Sequence, residues 1–430
     1  MGANRPTIKT FGCRLNIWES EVMRKQAEAA GLLDIVIVNT CAVTSEAEKQ
    51  ARQAVRKLRR ERPDTRIVVT GCAAQIDPDS WSEMPETDHV VGNAEKLTSM
   101  PWQQLAEQSL PESQVSDIMD RRDVPHHIFD SFDDHTRAFL QIQQGCDHRC
   151  TFCIIPFGRG LSRSVPVKTV IESARTLIAA GSVEIVLTGV DITSWGDDLP
   201  GRPKLGMLVR QLLDEVPEMA RLRLSSLDPA EMDAPLMSCL ETEARLMPHL
   251  HLSVQHGDDM ILKRMKRRHL RRDILRFVSE ARRRRSDVVF GADFIVGFPT
   301  ETDNAHYASL SLIEEADLTH LHVFGYSARE GTPAAQMPQV DKTVIKSRVA
   351  EMRAVGDRQR DAHLSRRCGG VDMMLVEKGK TGYLSGFEKA VLPKDLCIDA
   401  GSLLPVRLEA VQQGVMQVVP LVSTPATRST

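Results

Sequence analysis

The stretch Gly145-Cys146-Asp147-His148-Arg149-Cys150-Thr151-Phe152-Cys153 carries three cysteines at the spacing C-x3-C-x2-C. Cysteine thiolates are the usual protein ligands of iron–sulfur clusters. Three thiolates this close in sequence can bind three irons of a cubane cluster and leave the fourth iron without a protein ligand. The stretch therefore predicts a 4Fe–4S cluster with one open coordination position, where a small molecule can bind.

The composition is typical of a folded protein with reduced cysteines. The chain has 430 residues, of which 42% are hydrophobic and 26% charged, enough for two to four domains. We find no run of about 18 apolar residues and no targeting segment, so we expect a cytoplasmic protein without a membrane partner. The nine cysteines are odd in number and dispersed, which favours metal or cluster ligation over a disulfide framework.

The first 108 residues alternate strand and helix patterns. Continuous apolar runs predict strands over 7–11, 34–38 and 66–69, with helices over 17–30 and 45–62. This β-α-β-α-β order predicts a parallel sheet with right-handed crossovers, as in a Rossmann-like domain.

One cysteine follows each of these three strands: Cys13, Cys41 and Cys72. Because binding sites of open parallel sheets lie at the carboxyl ends of the strands, we expect the three thiols to converge there. Gly12 and Gly71 would let the backbone turn tightly beside them. The alternative is three small buried cysteines without a common role, but their equivalent positions favour a shared site.

A second β/α alternation begins at residue 137, after a predicted linker over 109–136. It predicts a partial (β/α)6 barrel over 137–367, with strands over 138–144, 184–187, 221–224, 249–254, 288–296 and 320–324. The chemistry of such barrels lies at the carboxyl ends of the strands. The residues that fall at that rim are Cys146, Gly189, Ser226, Gln255 and the Gly297-Phe298-Pro299 turn.

Period-two alternation places His249, His251, Ser253 and Gln255 on one strand face, which we expect to line the barrel interior. For each histidine, an interior group with satisfied hydrogen bonds is favoured over a metal ligand. Beyond the barrel, residues 370–422 show short strand patterns between turns and predict a small antiparallel β-barrel. Residues 423–430 have the composition of a disordered tail.

The net charge is −3, yet the cations are clustered in runs within 52–62, 263–272 and 282–285. Such runs can attract a phosphate backbone, although solvated helix faces are the more common explanation. Residues 370–430 are not basic, so the run over 263–272 is the stronger candidate for RNA contact.

The cysteine stretch after a barrel strand, with Phe152 before the last cysteine, resembles the radical S-adenosylmethionine superfamily. That resemblance implies a 4Fe–4S cluster on Cys146, Cys150 and Cys153 that binds S-adenosylmethionine and cleaves it to a 5′-deoxyadenosyl radical. It further implies cofactor contacts from Phe152, Gly189, Ser226 and Gln255. Zinc is the alternative, with His148 as a fourth ligand, because structural zinc is tetrahedral.

The motifs Thr10-Phe-Gly-Cys-Arg-Leu-Asn16, Asn39-Thr-Cys-Ala-Val-Thr44, Val69-Thr-Gly-Cys-Ala-Ala-Gln75 and the segment 153–164 resemble the methylthiotransferase family within that superfamily. The resemblance implies a second 4Fe–4S cluster on Cys13, Cys41 and Cys72. That cluster would carry or supply the sulfur that one cofactor molecule methylates, while another cofactor molecule activates a C–H bond. The C-terminal β-unit is similar to a TRAM module, which in this family helps to hold the substrate.

Segments 39–44 and 153–156 look most like the branch that modifies N6-threonylcarbamoyladenosine beside the tRNA anticodon. The partners thus implied are the anticodon loop of tRNA, and not DNA, and an electron donor such as a flavodoxin or ferredoxin. Isopentenyladenosine and an aspartate of a ribosomal protein remain alternative substrates. A non-catalytic iron–sulfur protein that binds RNA or transfers electrons is the alternative from another class.

The sequence departs from the family pattern at three positions, Ile17, His256 and Thr300. At the position of Thr300 the family usually has glycine. None of these positions is a cluster cysteine. The remaining cysteines, Cys239, Cys368 and Cys397, share no motif, and we expect them to pack as small apolar residues.

Overall fold

The computed structural model describes residues 5–124, 136–394, 396 and 398–421. The helices are α1 (Arg14–Ala29), α2 (Ser45–Glu61), α3 (Cys72–Ile76), α4 (Pro78–Ser82), α5 (Met100–Ala106), α6 (Ile155–Arg159), α7 (Val167–Ala179), α8 (Leu205–Glu215), α9 (Ala234–Thr242), α10 (Asp259–Arg264), α11 (Arg271–Arg284), α12 (Asp303–Glu315) and α13 (Lys342–Arg367).

The strands of the first half are β1 (Thr7–Thr10), β2 (Ile35–Thr40), β3 (Arg66–Gly71), β4 (His89–Val91), β5 (Ser113–Gln114), β6 (Ala138–Gln141), β7 (Gln143–Gln144), β8 (Arg163–Ser164) and β9 (Glu184–Thr188). Those of the second half are β10 (Arg221–Leu224), β11 (His249–Gln255), β12 (Val289–Val296), β13 (Leu318–Gly325), β14 (Val371–Val376), β15 (Thr381–Tyr383), β16 (Lys389–Val391), β17 (Leu403–Gln412) and β18 (Val415–Pro420).

The first sheet is parallel, with the order β1-β2-β3-β4-β5. Every residue of β2 is buried, as expected for a strand covered by helices on both faces. Strand β5 lies within residues 109–136, which the sequence predicted to be an irregular linker, so that prediction was wrong at Ser113–Gln114. Two residues carry too little periodicity to be recognised, and their pairing with β4 depends on tertiary contact.

The barrel consists of two parallel three-stranded sheets, β10-β9-β6 and β11-β12-β13. Two isolated bridges, Leu222 with Leu246 and Leu227 with Leu252, connect the two sheets near β10 and β11. All six strands were expected from the sequence, and the α/β fold class is confirmed. Since β6 and β13 are not paired with each other, the barrel is open along one side.

Helix α1 packs beside β6 at the open side of the barrel. Leu15, Trp18 and Val22 on this helix belong to the same buried apolar cluster as the barrel strands and their helices. The domain that contains the first sheet is therefore packed against the barrel and shares a hydrophobic core with it. The burial of α1 against the barrel holds the carboxyl edge of the first sheet next to the barrel mouth.

The last sheet is a closed barrel with the order β14-β15-β16-β18-β17. The sequence predicted an antiparallel barrel, and four of the pairings are antiparallel, but β16 and β18 pair in parallel. Closing a barrel from an odd number of strands forces one parallel pair, a constraint that strand patterns do not reveal. Residues 125–135, Cys397 and 422–430 lie outside the described residues.

None of the helices in the described ranges is long and apolar enough to cross a bilayer.

Two of the cysteines without a motif differ in burial. Cys239 is buried as expected, but Cys368 is exposed at the end of α13. The expectation that Cys368 packs as a small apolar residue was therefore wrong.

Candidate iron–sulfur and cofactor site

The Cys146 loop follows β7 at the barrel mouth and is fastened to the turn after α10. Thr151 donates its backbone N–H to Met265 O (3.1 Å) and its hydroxyl to Arg264 O (2.7 Å). Arg267 bridges the loop to the rim, because its guanidinium lies 3.7 Å from Cys150 Sγ and donates to Ser253 O at 2.9 Å. Arg267 of the basic run thus helps to hold the cysteine loop, whereas most other cations of the run are exposed.

Polar groups from neighbouring strand ends meet at this loop. His148 Nε2 lies 2.9 Å from an oxygen of Asp191, in the segment after β9. Arg268 binds His148 at 2.7 Å and pairs with Asp228 and Glu231 in the loop after β10. Hydrogen bonds to Asp191 and Glu231 raise the pKa of His148 to about 10. The rim after β9 and β10 is therefore drawn against the cysteine loop by charge pairs.

The predicted cofactor residues lie at strand ends around the same rim. Gly189 follows β9, and a Cβ there would approach Gln143 O to 2.8 Å. Ser226 lies two residues beyond β10. Gln255 ends β11 with φ +67°, a left-handed conformation that costs a non-glycine residue energy and is common at functional sites. Phe152 packs edge-on against Phe298, with ring centroids 6.5 Å apart.

The second cysteine triad forms at the carboxyl edge of the first sheet. Cys13 is the N-cap of α1, Cys41 follows β2, and Cys72 begins α3 after β3. A Cβ on Gly12 (φ +107°) would lie 3.0 Å from Cys41 Sγ, and one on Gly71 (φ +101°) would lie 2.3 Å from Thr40 N. Both glycines are thus required for the close approach of these strand ends.

The thiols of each triad are close enough to influence one another. Burial, together with the neighbouring Cys72 and Cys13 thiols, raises the pKa of Cys41 to about 12. Burial likewise raises the pKa of Cys153 to about 11, with Cys150 contributing. Burial thus favours the neutral thiols, whereas coordination to a metal would deprotonate them.

One donor group in this loop includes the histidine of the zinc alternative. Ligand atoms of Cys146, His148 and Asp191 all lie within 4.8 Å of one another. Structural zinc needs four such ligands, and an iron–sulfur cubane binds each thiolate at a different iron. His148, the fourth ligand of the zinc alternative, is instead hydrogen-bonded to Asp191.

Sequence reasoning missed a buried charge cluster between the two triads. Arg159, at the end of α6, donates from Nε to Cys72 Sγ (3.0 Å), forms a salt bridge with Glu19, and donates to Asn16 Oδ1 (2.6 Å). Lys96 binds the other oxygen of Glu19 at 2.6 Å. Although burial raises the pKa of Glu19, Arg159 and Lys96 lower it to about 2. The sequence signal that could have indicated this cluster was Arg159, a charged residue within the family motif over 153–164.

Helix α6 joins the two triads, because it starts two residues after Cys153 and ends at Arg159. Asn93 donates to Gly158 O at 2.6 Å, and a Cβ on Gly158 would lie 3.3 Å from Cys72 Cβ. Across the mouth, the hydroxyls of Ser45 and Ser327 are 2.8 Å apart. The first sheet therefore reaches the barrel rim on both sides of a cleft.

Apolar side chains near this cleft remain exposed. Val43 follows Cys41 and is 49% exposed, Phe157 on α6 is 51% exposed, and Phe324 near the end of β13 is 37% exposed. Exposed aromatic rings can stack on unpaired nucleobases. Val43 and Phe157 thus place exposed apolar surface near the cysteine segments, and Phe324 does so near the end of β13.

The expectation of satisfied hydrogen bonds is confirmed for His251 and wrong for His249. His251 Nε2 is 2.9 Å from Asp293 Oδ1. His249 stacks on Phe387 with centroids 4.9 Å apart, but both of its ring nitrogens are buried without a partner. Burial holds the pKa of His249 well below its usual range. The interior of the barrel is therefore polar.

Comparison with known proteins agrees with this arrangement. Residues 140–313 match the Radical SAM superfamily, and residues 5–92 match Uncharacterized protein family UPF0004. The chain is 47% identical over 415 residues to the threonylcarbamoyladenosine tRNA methylthiotransferase MtaB of Rickettsia prowazekii (strain Madrid E), covering 96% of this chain and 97% of that protein. It is 33% identical over 425 residues to the tRNA-2-methylthio-N(6)-dimethylallyladenosine synthase of Paracoccus denitrificans (strain Pd 1222), covering 93% of each.

Among solved structures, the fold resembles a radical S-adenosylmethionine methyltransferase, TsrM, from Kitasatospora setae. The TM-score is 0.52 at 16% identity, and the match covers 74% of this chain and 68% of that one. At this identity the likeness concerns the fold alone. Together, the two matched domains and the nearly full-length identity of 47% show that this chain belongs to the radical S-adenosylmethionine methylthiotransferase family, whose chemistry uses S-adenosylmethionine and a 4Fe–4S cluster.

Proposed function

We propose that this chain adds a methylthio group to C2 of N6-threonylcarbamoyladenosine next to the anticodon of tRNA. The observation that carries the proposal is the pair of cysteine triads, joined by α6 and the contact of Arg159 with Cys72. The choice of substrate is supported by the relative from Rickettsia prowazekii, at 47% identity against 33% for the dimethylallyladenosine synthase from Paracoccus denitrificans. With tRNA as substrate, the proposed compartment is the cytoplasm.

The proposal includes two 4Fe–4S clusters. Cys146, Cys150 and Cys153 would hold the first, with Phe152, Gly189, Ser226 and Gln255 contacting the cofactor. Cys13, Cys41 and Cys72 would hold the second cluster, which would carry or supply the sulfur. When bound, these groups and the cofactor supply the one-electron chemistry that replaces C2–H by C2–S–CH3, with electrons from a donor such as a flavodoxin or ferredoxin.

The chain's own residues would position the reactants. Arg159 neutralises buried Glu19 and donates to Cys72, so it maintains the distance between the two triads. Phe324 and Val43 offer exposed apolar surface at the cleft where an unstacked loop base could lie. Anticodon-loop bases are accessible to such a cleft, whereas bases inside a duplex are not.

Nucleoside mass spectrometry tests the substrate. In cells that lack the gene, methylthio-threonylcarbamoyladenosine should disappear from tRNA, and a plasmid copy should restore it. A copy carrying Cys239→Ala, which removes a buried cysteine outside both triads, is the matched control and should also restore it. Unchanged methylthio-threonylcarbamoyladenosine with loss of methylthio-isopentenyladenosine would transfer the proposal to the other substrate.

The division of labour is tested with Cys13→Ala. This variant should still form 5′-deoxyadenosine from S-adenosylmethionine in an anaerobic assay, because the Cys146 loop is intact. It should bind about half the iron of the wild type and give no methylthio product. Loss of both reactions, with the first cluster still assembled, would contradict separate roles; no cofactor cleavage by the reduced wild type would favour a non-catalytic iron–sulfur protein.

A further inference from the structure

The barrel interior contains an arginine without a counter-ion. Arg14 is the first residue of α1 and directly follows Cys13. Its guanidinium carbon lies 5.7 Å from the centroid of the Phe387 ring, so the side chain extends from the second triad toward the barrel floor. Within the described ranges, no hydrogen bond or ion pair engages this guanidinium.

Two other arginines at the same ring are paired. Arg137 and Arg223 lie 5.3 and 5.0 Å from the Phe387 centroid. Arg137 binds Glu377 at 3.1 Å, and Arg223 binds Glu184 at 3.0 Å. Arg14 lies at the same ring without such a carboxylate partner among the described residues, and the N-terminus of α1 adds further positive potential. A third cation in this place needs an anion to stabilise it.

Asp293 does not fill that need. Its charge is felt at Arg14, but its Oδ1 atom is hydrogen-bonded to His251 Nε2 (2.9 Å) and to His322 Nδ1 (3.0 Å). The carboxylate is thus held by the opposite wall of the barrel, on β11 and β13. Asp293 is thus shared by two histidines, and within the described ranges no ion pair joins it to Arg14.

An amide on the same side of the barrel also lacks partners. Gln141 on β6 is 3% exposed, and both its Nε2 and Oε1 atoms are buried without a hydrogen bond. Strand alternation puts Gln141 on the same face as Arg137, whose contact with Phe387 identifies that face as the interior. Buried amide groups are almost always hydrogen-bonded, so the Gln141 amide is available to a polar ligand in the barrel.

The interior is reachable from the mouth along β13. His322 and Phe324 share the inner face of this strand, with ring centroids 6.4 Å apart. The His322 side chain is 53% exposed although it binds Asp293, and Phe324 is 37% exposed. Solvent therefore reaches from the cleft down to the level of Asp293.

From this juxtaposition we propose that Arg14 is the specificity-determining residue of the proposed reaction and binds the carboxylate of the threonylcarbamoyl group, while Gln141 hydrogen-bonds its urea or hydroxyl. The inference rests on the proposed function. With the base in the cleft beside Cys13, the N6 substituent extends into the barrel. An isopentenyl group has no anion and no hydrogen-bonding atom, so it would leave the half-buried Arg14 guanidinium and the buried Gln141 amide unpaired, which disfavours its binding.

The test uses the full-length, anaerobically reconstituted protein and synthetic anticodon stem-loops. One stem-loop carries threonylcarbamoyladenosine, and a second carries the threoninol analogue, in which a hydroxymethyl group replaces the carboxylate. The wild type should bind the first at least tenfold more tightly in fluorescence anisotropy. Arg14→Met should reduce that ratio to about one, Arg14→Lys should keep part of it, and Gln141→Leu should weaken binding of both.

Arg137→Met is the matched control, because it removes an interior arginine that already has a carboxylate partner. It should leave the affinity ratio unchanged. Iron content, the spectrum of the reduced clusters and 5′-deoxyadenosine formation are measured for every variant. An unchanged ratio in Arg14→Met, an equal loss in Arg137→Met, or an effect of Arg14→Met on the clusters alone would overturn the inference.

The proposed function and this inference fail in different ways. If the wild type forms no methylthio product on the threonylcarbamoyl stem-loop, the proposed function is wrong. If the product forms but Arg14→Met keeps the wild-type affinity ratio, the proposed function stands and the role of Arg14 is wrong. Binding is measured independently of turnover, so each outcome is read from its own assay.

Discussion

Two residues at the barrel rim have backbone conformations that glycine would adopt more easily. Gln255 has φ +67° and Thr300 has φ +70°. Thr300 stands where the family usually has glycine, and the left-handed region explains that preference, because a β-branched side chain is unfavourable there. Arg264 compensates in part by donating to Thr300 Oγ1 at 2.5 Å.

Thr300→Gly should therefore raise the free energy of unfolding by about 1 kcal/mol, since relief of left-handed strain exceeds the loss of one exposed hydrogen bond. Thr300→Ala is the control, because it loses the hydrogen bond but keeps a Cβ at positive φ. Anaerobic urea denaturation should rank stability as Gly, then Thr, then Ala. A glycine variant less stable than the alanine variant would show that the positive φ of residue 300 does not dominate the change in the free energy of unfolding.

Helix α2 carries a second set of exposed basic residues, besides the run over 263–272. Thr44 caps this helix, accepting a hydrogen bond from Ala47 N, directly after the Cys41 motif. Lys49, Arg56 and Arg60 are exposed on one helical stripe, and a cavity of about 320 Å³ lies against Lys49 and Arg56. The run over 282–285 instead lies at the end of α11, next to the start of β12 and far from the barrel mouth.

Lys49→Glu with Arg56→Glu should weaken binding of unmodified and modified anticodon stem-loops alike. At about 0.15 M salt we expect a loss of roughly tenfold or more, and a salt dependence of log K reduced by about 2, because two phosphate contacts are removed. Arg283→Glu, which reverses an exposed charge at the opposite end of the barrel, is the control. It should leave the affinity and its salt dependence unchanged. Equal effects of the two variants would refute a phosphate track along α2.

At the scale of the whole molecule, the C-terminal barrel closes the floor of the central one. Phe387 stacks between His249 and Tyr383. The adjacent Glu388 is 1% exposed and binds His363 (2.8 Å) and Arg367 (2.5 Å) on α13. Although burial raises the pKa of Glu388, these partners lower it from 4.5 to about 2.

This linkage predicts an acid sensitivity. Since the folded pKa of Glu388 lies below its unfolded value, its contribution to stability is complete above pH 4.5 and is lost as the pH falls toward 2. Glu388→Gln should lower the free energy of unfolding by about 3 kcal/mol at pH 7, and the difference from wild type should shrink between pH 5 and 3. Thermal melts at several pH values measure this; a pH-independent difference would contradict it.

Much of this architecture could be predicted from the sequence because its signals are local. Apolar runs of strand length, with helical segments between them, predict the parallel sheets, and the loop from Cys146 to Cys153 carries its cysteine spacing in eight residues. Cys13, Cys41 and Cys72 could be grouped although they are far apart, because parallel strands end at one edge. Strand ends were predicted to within a few residues at β10 and β12.

What the sequence alone determined is thus the order of elements, the two cysteine triads and the family resemblance. Only the tertiary structure decided that β5 joins the first sheet, that one pair of the C-terminal barrel is parallel, and that Arg159 bridges Glu19 and Cys72. It alone brought Arg14, Arg137 and Arg223 to the ring of Phe387 in the barrel. The physical reason is that these contacts join residues distant in sequence, where burial and unpaired charge leave no periodic trace along the chain.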